Sequence, residues 1–396
     1  MNNGFTVNGL QLDSVLVPRS YFNQSTLWTW GLNSSGQLGD NTTINKSSPI
    51  LTVASGLNWK QISAGSASIC GIKTDGTLWL WGANSIGQLG TNTTINRSSP
   101  VQTISGGSNW RQISTGGYPD SLVVTSGIKT DGTLWTWGYN ISGGLGDNTN
   151  ISRSSPVQTV SGGTTWNFVS ASNSNCVAVK TDGTLWCWGS NILGSCGDGT
   201  TTVRSSPVQT VAAGTNWKFA SINMNSTAAI KNDGTLWTWG RNLVFALGDG
   251  TNIDRSSPVQ TIASGTNWQQ VSVGYRMMAA IKTDGTLWAW GSNGAGQLGD
   301  NSTIVKSSPV QTVSGGTNWK QVSAGLSTDG FTGTVGMAAL KTDGSLWIWG
   351  YGALGGLGNN STINVSSPIQ TVAGGYNWSQ VALGSSFSAA LNYIYN

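Results

Sequence analysis

The sequence predicts an all-β chain, a seven-bladed propeller of four-stranded antiparallel blades, closed by pairing the N- and C-terminal strands in one blade. Three observations predict it. All 21 tryptophans fall at three positions of one unit that occurs seven times. Each unit reads as four short strands separated by turn residues. The two ends of the chain are incomplete in complementary ways.

The stretch 59–110 shows each element in order. Residues 59–65 alternate and end in glycine, as a half-buried strand does. Residues 69–73 give a second strand, and Thr74-Asp75-Gly76-Thr77 gives a tight turn between two apolar runs. Residues 78–82, Leu-Trp-Leu-Trp-Gly, are apolar on both sides and so predict a strand covered on both faces. Residues 84–99 are a polar loop rich in Asn, Thr and Gly. Residues 100–104 read as the fourth strand, with Pro100 first, where no ladder donor is lost. The tryptophan pair of Leu-Trp-x-Trp-Gly stands at i and i+2, so both indoles point to one face and are predicted to fill the wedge between blades.

The first unit lacks its opening strands and the last lacks its Trp-x-Trp strand. One blade built from both ends would leave no open sheet edge at the seam. Residues 21–396 form the propeller on this reading, and residues 1–20 lie outside the repeat.

Composition argues against an enzyme. There is no histidine and no glutamate, since all 15 acidic residues are aspartate. The common general base and metal ligand are missing, and so is every Glu-based acid/base pair. Leu-Gly-Asp-Asn-Thr-Thr, residues 38–43, resembles a calcium loop in composition but lacks alternating carboxylates and a closing glutamate. No cofactor or metal is expected. Net charge is +4. Six basic residues recur at one repeat position (Lys46, Arg97, Arg153, Arg204, Arg255, Lys306), and six lysines precede the Asp-Gly turns, from Lys73 to Lys341. Spread around a ring rather than gathered, they argue against a nucleic-acid partner. Cys70, Cys176, Cys187 and Cys196 read as small buried hydrophobes, with a disulfide or a metal site as the alternative. No stretch is apolar enough to insert in a membrane.

The run at 287–300, Leu-Trp-Ala-Trp-Gly-Ser-Asn-Gly-Ala-Gly-Gln-Leu-Gly-Asp, resembles the regulator-of-chromosome-condensation repeat, as does the segment 274–285 before it. The resemblance recurs seven times and implies a seven-bladed propeller. It does not transmit one function. The family's founder is a nucleotide exchange factor that binds chromatin, but here the repeats are more uniform and the family's second-strand histidine is missing throughout. The Ser-Ser-Pro-Val-Gln-Thr-Val wording resembles a branch found in tailed-phage structural proteins and bacterial surface proteins. On that resemblance the chain is expected to be a non-enzymatic virion component of capsid or tail. The alternative is a bacterial surface or secreted adhesion propeller.

Function is expected where the repeat breaks. The usual spacing is 51 residues, but Trp79 to Trp135 is 56 and Trp288 to Trp347 is 59. Both insertions fall between the first and second strands, at the end that also carries the long loops. The candidate binding face therefore gathers Tyr118, Pro119 and Asp120, then Asp329 and Phe331, from the inserts. It adds Tyr275, Arg276 and Phe387 from equivalent loops, and Tyr139, Arg241, Phe245 and Tyr351 from the long loops. Exposed Tyr and Arg suit protein or host-surface glycan contacts. In residues 1–20, Val7, Leu10, Leu12, Val15, Leu16 and Val17 suggest an arm that docks on other virion proteins.

Overall fold

The computed structural model describes residues 24–53, 57–105, 107–117, 122–211, 214–223, 225–263, 265–314, 316–326 and 336–394. Seven four-stranded antiparallel sheets form the molecule. The first complete blade consists of β3 (Trp59–Ala64), β4 (Ser68–Lys73), β5 (Leu78–Gly82) and β6 (Arg97–Gln102). Five further blades repeat that order, from Trp110–Thr115 to Val365–Gln370. The closing blade combines β27 (Trp378–Leu383) and β28 (Phe387–Tyr393) with β1 (Ser25–Gly31) and β2 (Lys46–Leu51). β1 pairs with β28 along its whole length, from Ser25↔Tyr393 to Gly31↔Phe387. The two chain ends thus complete one sheet, as the incomplete units predict.

The first strand of each blade contacts the first strand of the next, and the series closes from β27 to β3. These strands ring the axis. Glutamine side chains tie several of them together: Gln61 Nε2 donates to the Ile113 carbonyl at 3.2 Å and Gln61 Oε1 accepts from the Ile113 amide at 3.2 Å. At two successive positions the glutamine is replaced by Phe168 and Phe219, whose rings stack 4.6 Å apart.

The core is a set of inter-blade wedges. One wedge joins Leu27, Phe387 and Leu391 of the closing blade to Trp59, Ile62, Ile69 and Trp81 of the next. The second tryptophan of each pair is fully buried, and its indole nitrogen crosses to the preceding blade. Trp81 Nε1 donates to the Gln37 carbonyl at 3.0 Å, and Trp239 Nε1 to that of Ser195 at 2.8 Å. The first tryptophan departs from expectation. Trp79 is only half-buried, and its nitrogen donates to Thr77 Oγ1 of its own blade at 2.9 Å. Pointing to one face does not give equal depth: two residues along a strand amount to about 7 Å, enough to carry the first indole toward the rim.

Two local expectations are corrected. The fourth strand starts at Arg97, so Pro100 is its fourth residue rather than its first. Register shifts between Leu80↔Val101 and Gly82↔Arg97, and the proline sits in that irregular step on an outer strand, where its missing amide breaks no ladder. The Asp-Gly turn is a three-residue connection. The Gly76 amide donates to the Lys73 carbonyl at 2.9 Å, and Gly76 takes φ +80°, a conformation glycine adopts without strain. The cysteines divide. Cys187 and Cys196 form a disulfide, the alternative reading, while Cys70 and Cys176 are buried free thiols whose burial pushes their titration far up.

Candidate functional site

The insertions and the long loops do share one end of the ring. Val124 pairs with Gly138, and the Tyr139 amide donates to the Val123 carbonyl at 2.9 Å, so the first insertion opens beside Tyr139. Gly336 pairs with Gly350, which places the second insertion beside Tyr351. Tyr118, Pro119, Asp120, Asp329 and Phe331 lie outside the described residues, as do Val7, Leu10, Leu12, Val15, Leu16 and Val17.

The other candidates separate by depth. Tyr275 and Phe387 are not surface residues: they are 3% and 1% exposed and belong to inter-blade cores, Tyr275 with Met277 and Phe387 with Leu27 and Leu38. Their loops are short enough to fold the ring inward against the neighbouring blade, where an aromatic gains more by burial than by exposure. Tyr139, Arg241, Phe245, Arg276 and Tyr351 remain half-buried at the surface. Arg241, Tyr275 and Arg276 meet in a small cleft completed by Asn223, Asn225, Ser226 and Gly274. The Arg276 guanidinium lies 4.7 Å from the centre of the Tyr275 ring. Tyr351 and Phe387 line a separate small cleft.

Six of the seven long loops, read from sequence only as polar, are knotted around one asparagine each. Asn242 Nδ2 donates to Asp249 Oδ1 at 2.9 Å, to the Thr251 carbonyl at 2.9 Å and to the Ile253 carbonyl at 3.1 Å, while its Oδ1 accepts from the Leu247 amide at 2.9 Å. Asp249 then accepts from Thr251 Oγ1 at 2.8 Å and from Arg255 Nε at 3.0 Å. Burial pushes the Asp249 carboxyl up, but these donors outweigh it and hold it below its ordinary value. The same aspartate–cation pair recurs at Asp40–Lys46, Asp147–Arg153, Asp198–Arg204 and Asp300–Lys306. The carboxylate that suggested a calcium loop is therefore committed to an amide, a hydroxyl and a cation. In the last loop the set is lost together: Gly352, Asn359 and Val365 replace asparagine, aspartate and cation.

At the opposite end, the lysines before the Asp-Gly turns are held by indoles. Lys231 Nζ lies 4.4 Å from the Trp237 ring centre and 4.9 Å from that of Trp217. Asp233 accepts from the Thr235 amide and hydroxyl at 2.9 and 2.7 Å, and these two bonds depress its titration.

One surface feature was missed. Six of the seven long loops display an isoleucine outward: Ile44, Ile95, Ile151, Ile253, Ile304 and Ile363 are 60–73% exposed. The signal was present in the sequence, an isoleucine recurring at one loop position in six units, with Thr202 in the remaining one.

The model of the regulator of chromosome condensation repeat matches residues 24–72, 75–118, 131–179, 233–281, 284–328 and 343–391. The chain belongs to this family. A second model of the same repeat matches 59–88, 167–198 and 268–297. Among its relatives, the ultraviolet-B receptor UVR8 of Arabidopsis thaliana is 27% identical over 78% of this chain and 67% of its own. The mitochondrial RCC1 domain-containing protein RUG3 of the same plant is 26% identical over 82% of this chain and 77% of its own. Two solved structures share the fold. Prp20p of Saccharomyces cerevisiae has a TM-score of 0.80 at 16% identity, over 94% of this chain and 92% of that one. Human WBSCR16 has a TM-score of 0.81 at 18% identity, over 94% and 100%. The relatives named here are eukaryotic, and none bears on a phage or bacterial branch.

Proposed function

We propose that the chain is a non-enzymatic interaction propeller that presents its loop face to another protein. The observation that carries this reading is the circle of exposed isoleucines. Six large aliphatic side chains held outward, five of them on hydrogen-bonded loop knots, cost solvation when the ring is alone and gain it when a protein surface covers them. Prp20p, whose structure was reported together with its binding to Gsp1p and histones, is a propeller of this fold that contacts proteins.

We further propose that the chain is a virion component of a tailed phage, in capsid or tail, and that its partners are other virion proteins. The uniformity of the repeats, the lack of histidine and glutamate, and the Ser-Ser-Pro wording support this. Mass spectrometry of purified virions tests it, and a particle lacking the chain overturns it. A bacterial surface or secreted adhesin is the second reading. The Cys187–Cys196 disulfide favours it, because such bonds persist in oxidising surroundings. The contact face is tested with Ile95→Ser, Ile253→Ser and Ile304→Ser combined, in cross-linking and pull-down from the source particle or cell surface. Unchanged capture rejects the isoleucine circle as the interface.

A further inference from the structure

The hairpin end of the ring carries a charge pattern that the loop-face reading does not use. Residue 60 and its equivalents follow the buried tryptophan at the start of each innermost strand. Around the ring they are Lys60, Arg111, Asn167, Lys218, Gln269, Lys320 and Ser379. Lys60, Lys218 and Lys320 are exposed and Arg111 is half-buried. These residues stand at one end of the circle of innermost strands, because the strands that bear them contact one another in a closed ring. The strand starts lie beside the Asp-Gly hairpins, as the Trp59↔Lys73 pairing shows.

None of the four cations has a carboxylate within ion-pair distance among the described residues. Arg111 bonds only neutral groups, the Trp166 carbonyl at 2.8 Å and Asn167 Oδ1 at 3.3 Å. Charge elsewhere is matched locally. Five of the six outer-loop cations have an aspartate, and each of the six hairpin lysines has one two residues on. The positions between the cations hold only neutral polar side chains, Asn167, Gln269 and Ser379.

An outer circle of opposite sign surrounds this end. Asp75, Asp131, Asp182, Asp233, Asp284 and Asp343 are exposed at the hairpin tips, and hydrogen bonds keep each carboxyl below its ordinary titration range. A broad rigid polyanion such as duplex nucleic acid meets these carboxylates before it reaches the lysines. A narrow chain passes inside them. Among the described residues the closing blade adds no aspartate to this circle, because β28 is followed there by β1 across the chain ends rather than by a hairpin. Single-stranded nucleic acid would need aromatic faces for stacking. On this face the half-buried indoles already hold lysine ammonium groups, at 4.3–4.6 Å for Trp79, Trp135, Trp186, Trp237, Trp288 and Trp347.

We infer that the hairpin-side end of the innermost-strand circle is a binding site for an extended acidic peptide segment, whose carboxylates are held by Lys60, Arg111, Lys218 and Lys320. It is a second contact surface, on the face opposite the isoleucine circle.

The test is fluorescence anisotropy of the full chain with a fluorescein-labelled oligoglutamate peptide of about ten residues, at about 50 mM and about 300 mM salt. Binding is expected at low salt and should weaken as salt rises. The combined Lys60→Gln, Lys218→Gln and Lys320→Gln variant should bind at least about tenfold more weakly. Arg97→Gln, which removes an outer-loop cation, should bind as the parent does. All four positions are at the surface, and matching thermal melts of the variants confirm that the ring is intact. The inference is overturned if the parent does not bind the peptide, or if the triple variant binds as tightly. It is also overturned if an oligothymidine of equal length binds more tightly with the same dependence on the three lysines.

Discussion

The indole nitrogen of Trp137 donates to the Gln88 carbonyl, 2.9 Å away in the preceding blade, and that carbonyl also accepts from Thr125 Oγ1 at 3.0 Å. One indole thus fills a wedge and fastens it. Trp137→Ala is expected to lower unfolding free energy by about 3–5 kcal/mol, mainly through the cavity it leaves. Trp137→Phe should cost only about 1–2 kcal/mol, because Thr125 still satisfies the carbonyl. Trp135→Ala, at the half-buried partner position, should cost less than Trp137→Ala. Denaturant titration of the three variants checks the order, and equal losses at Trp135 and Trp137 would contradict the difference in depth.

Asp249 and Arg255 form the best-described loop knot, with Oδ2 2.9 Å from the guanidinium and side-chain exposures of 3% and 33%. Removing Arg255 alone leaves a covered carboxylate without its cation. Arg255→Val is therefore expected to destabilise more than Asp249→Asn and Arg255→Val together, a pairing that the last loop already contains as Asn359 and Val365. The coupling should be about 1 kcal/mol, given the arginine's exposure. A double-mutant cycle measures it, and strict additivity would reject the knot as a unit.

Eleven aspartates are held below their ordinary titration range, six at hairpins and five in loop knots. Their native pKa values lie below the unfolded ones, so the unfolded chain binds more protons as pH falls. The stability they add is complete above about pH 5 and is lost as pH drops through and below about 4. With no histidine in the chain, stability should be level from about pH 5 to 8. Urea midpoints across that range check this, and a step near pH 6.5 would refute it.

Cys187 and Cys196 are each buried and close a short loop from the Trp-x-Trp strand to its own knot. Alkylation of the denatured, unreduced protein should label Cys70 and Cys176 only, and prior reduction under denaturing conditions should raise the number to four. Replacing both bonded cysteines with alanine is expected to cost about 2–3 kcal/mol, from the freedom restored to a loop of nine residues' separation. Four labelled thiols without reduction would show that the bond does not form.

The sequence carried the fold because each unit repeats its own instructions. Trp-x-Trp-Gly, Asp-Gly and Ser-Ser-Pro mark a buried strand, a hairpin and an outer strand, and seven copies leave little choice of architecture. The candidate face was legible only in part. Placing insertions and long loops at one end needed just the up-and-down order of strands. Judging Tyr275 and Phe387 as exposed failed, because their depth depends on a neighbouring blade, fifty residues on for Tyr275 (Gly325) and at the other end of the chain for Phe387 (Trp59, Ile62).

What the sequence determined by itself was therefore local and periodic: strand, turn, blade count and the joining of the ends. Only the tertiary structure decided which indole of each pair is sealed, which cysteines bond, and that isoleucines crown one face while Lys60, Arg111, Lys218 and Lys320 stand at the starts of the innermost strands on the other. The physical reason is the closing of the ring. It brings residues one repeat apart into contact, so burial and charge are set by the neighbouring blade rather than by adjacent residues in the chain.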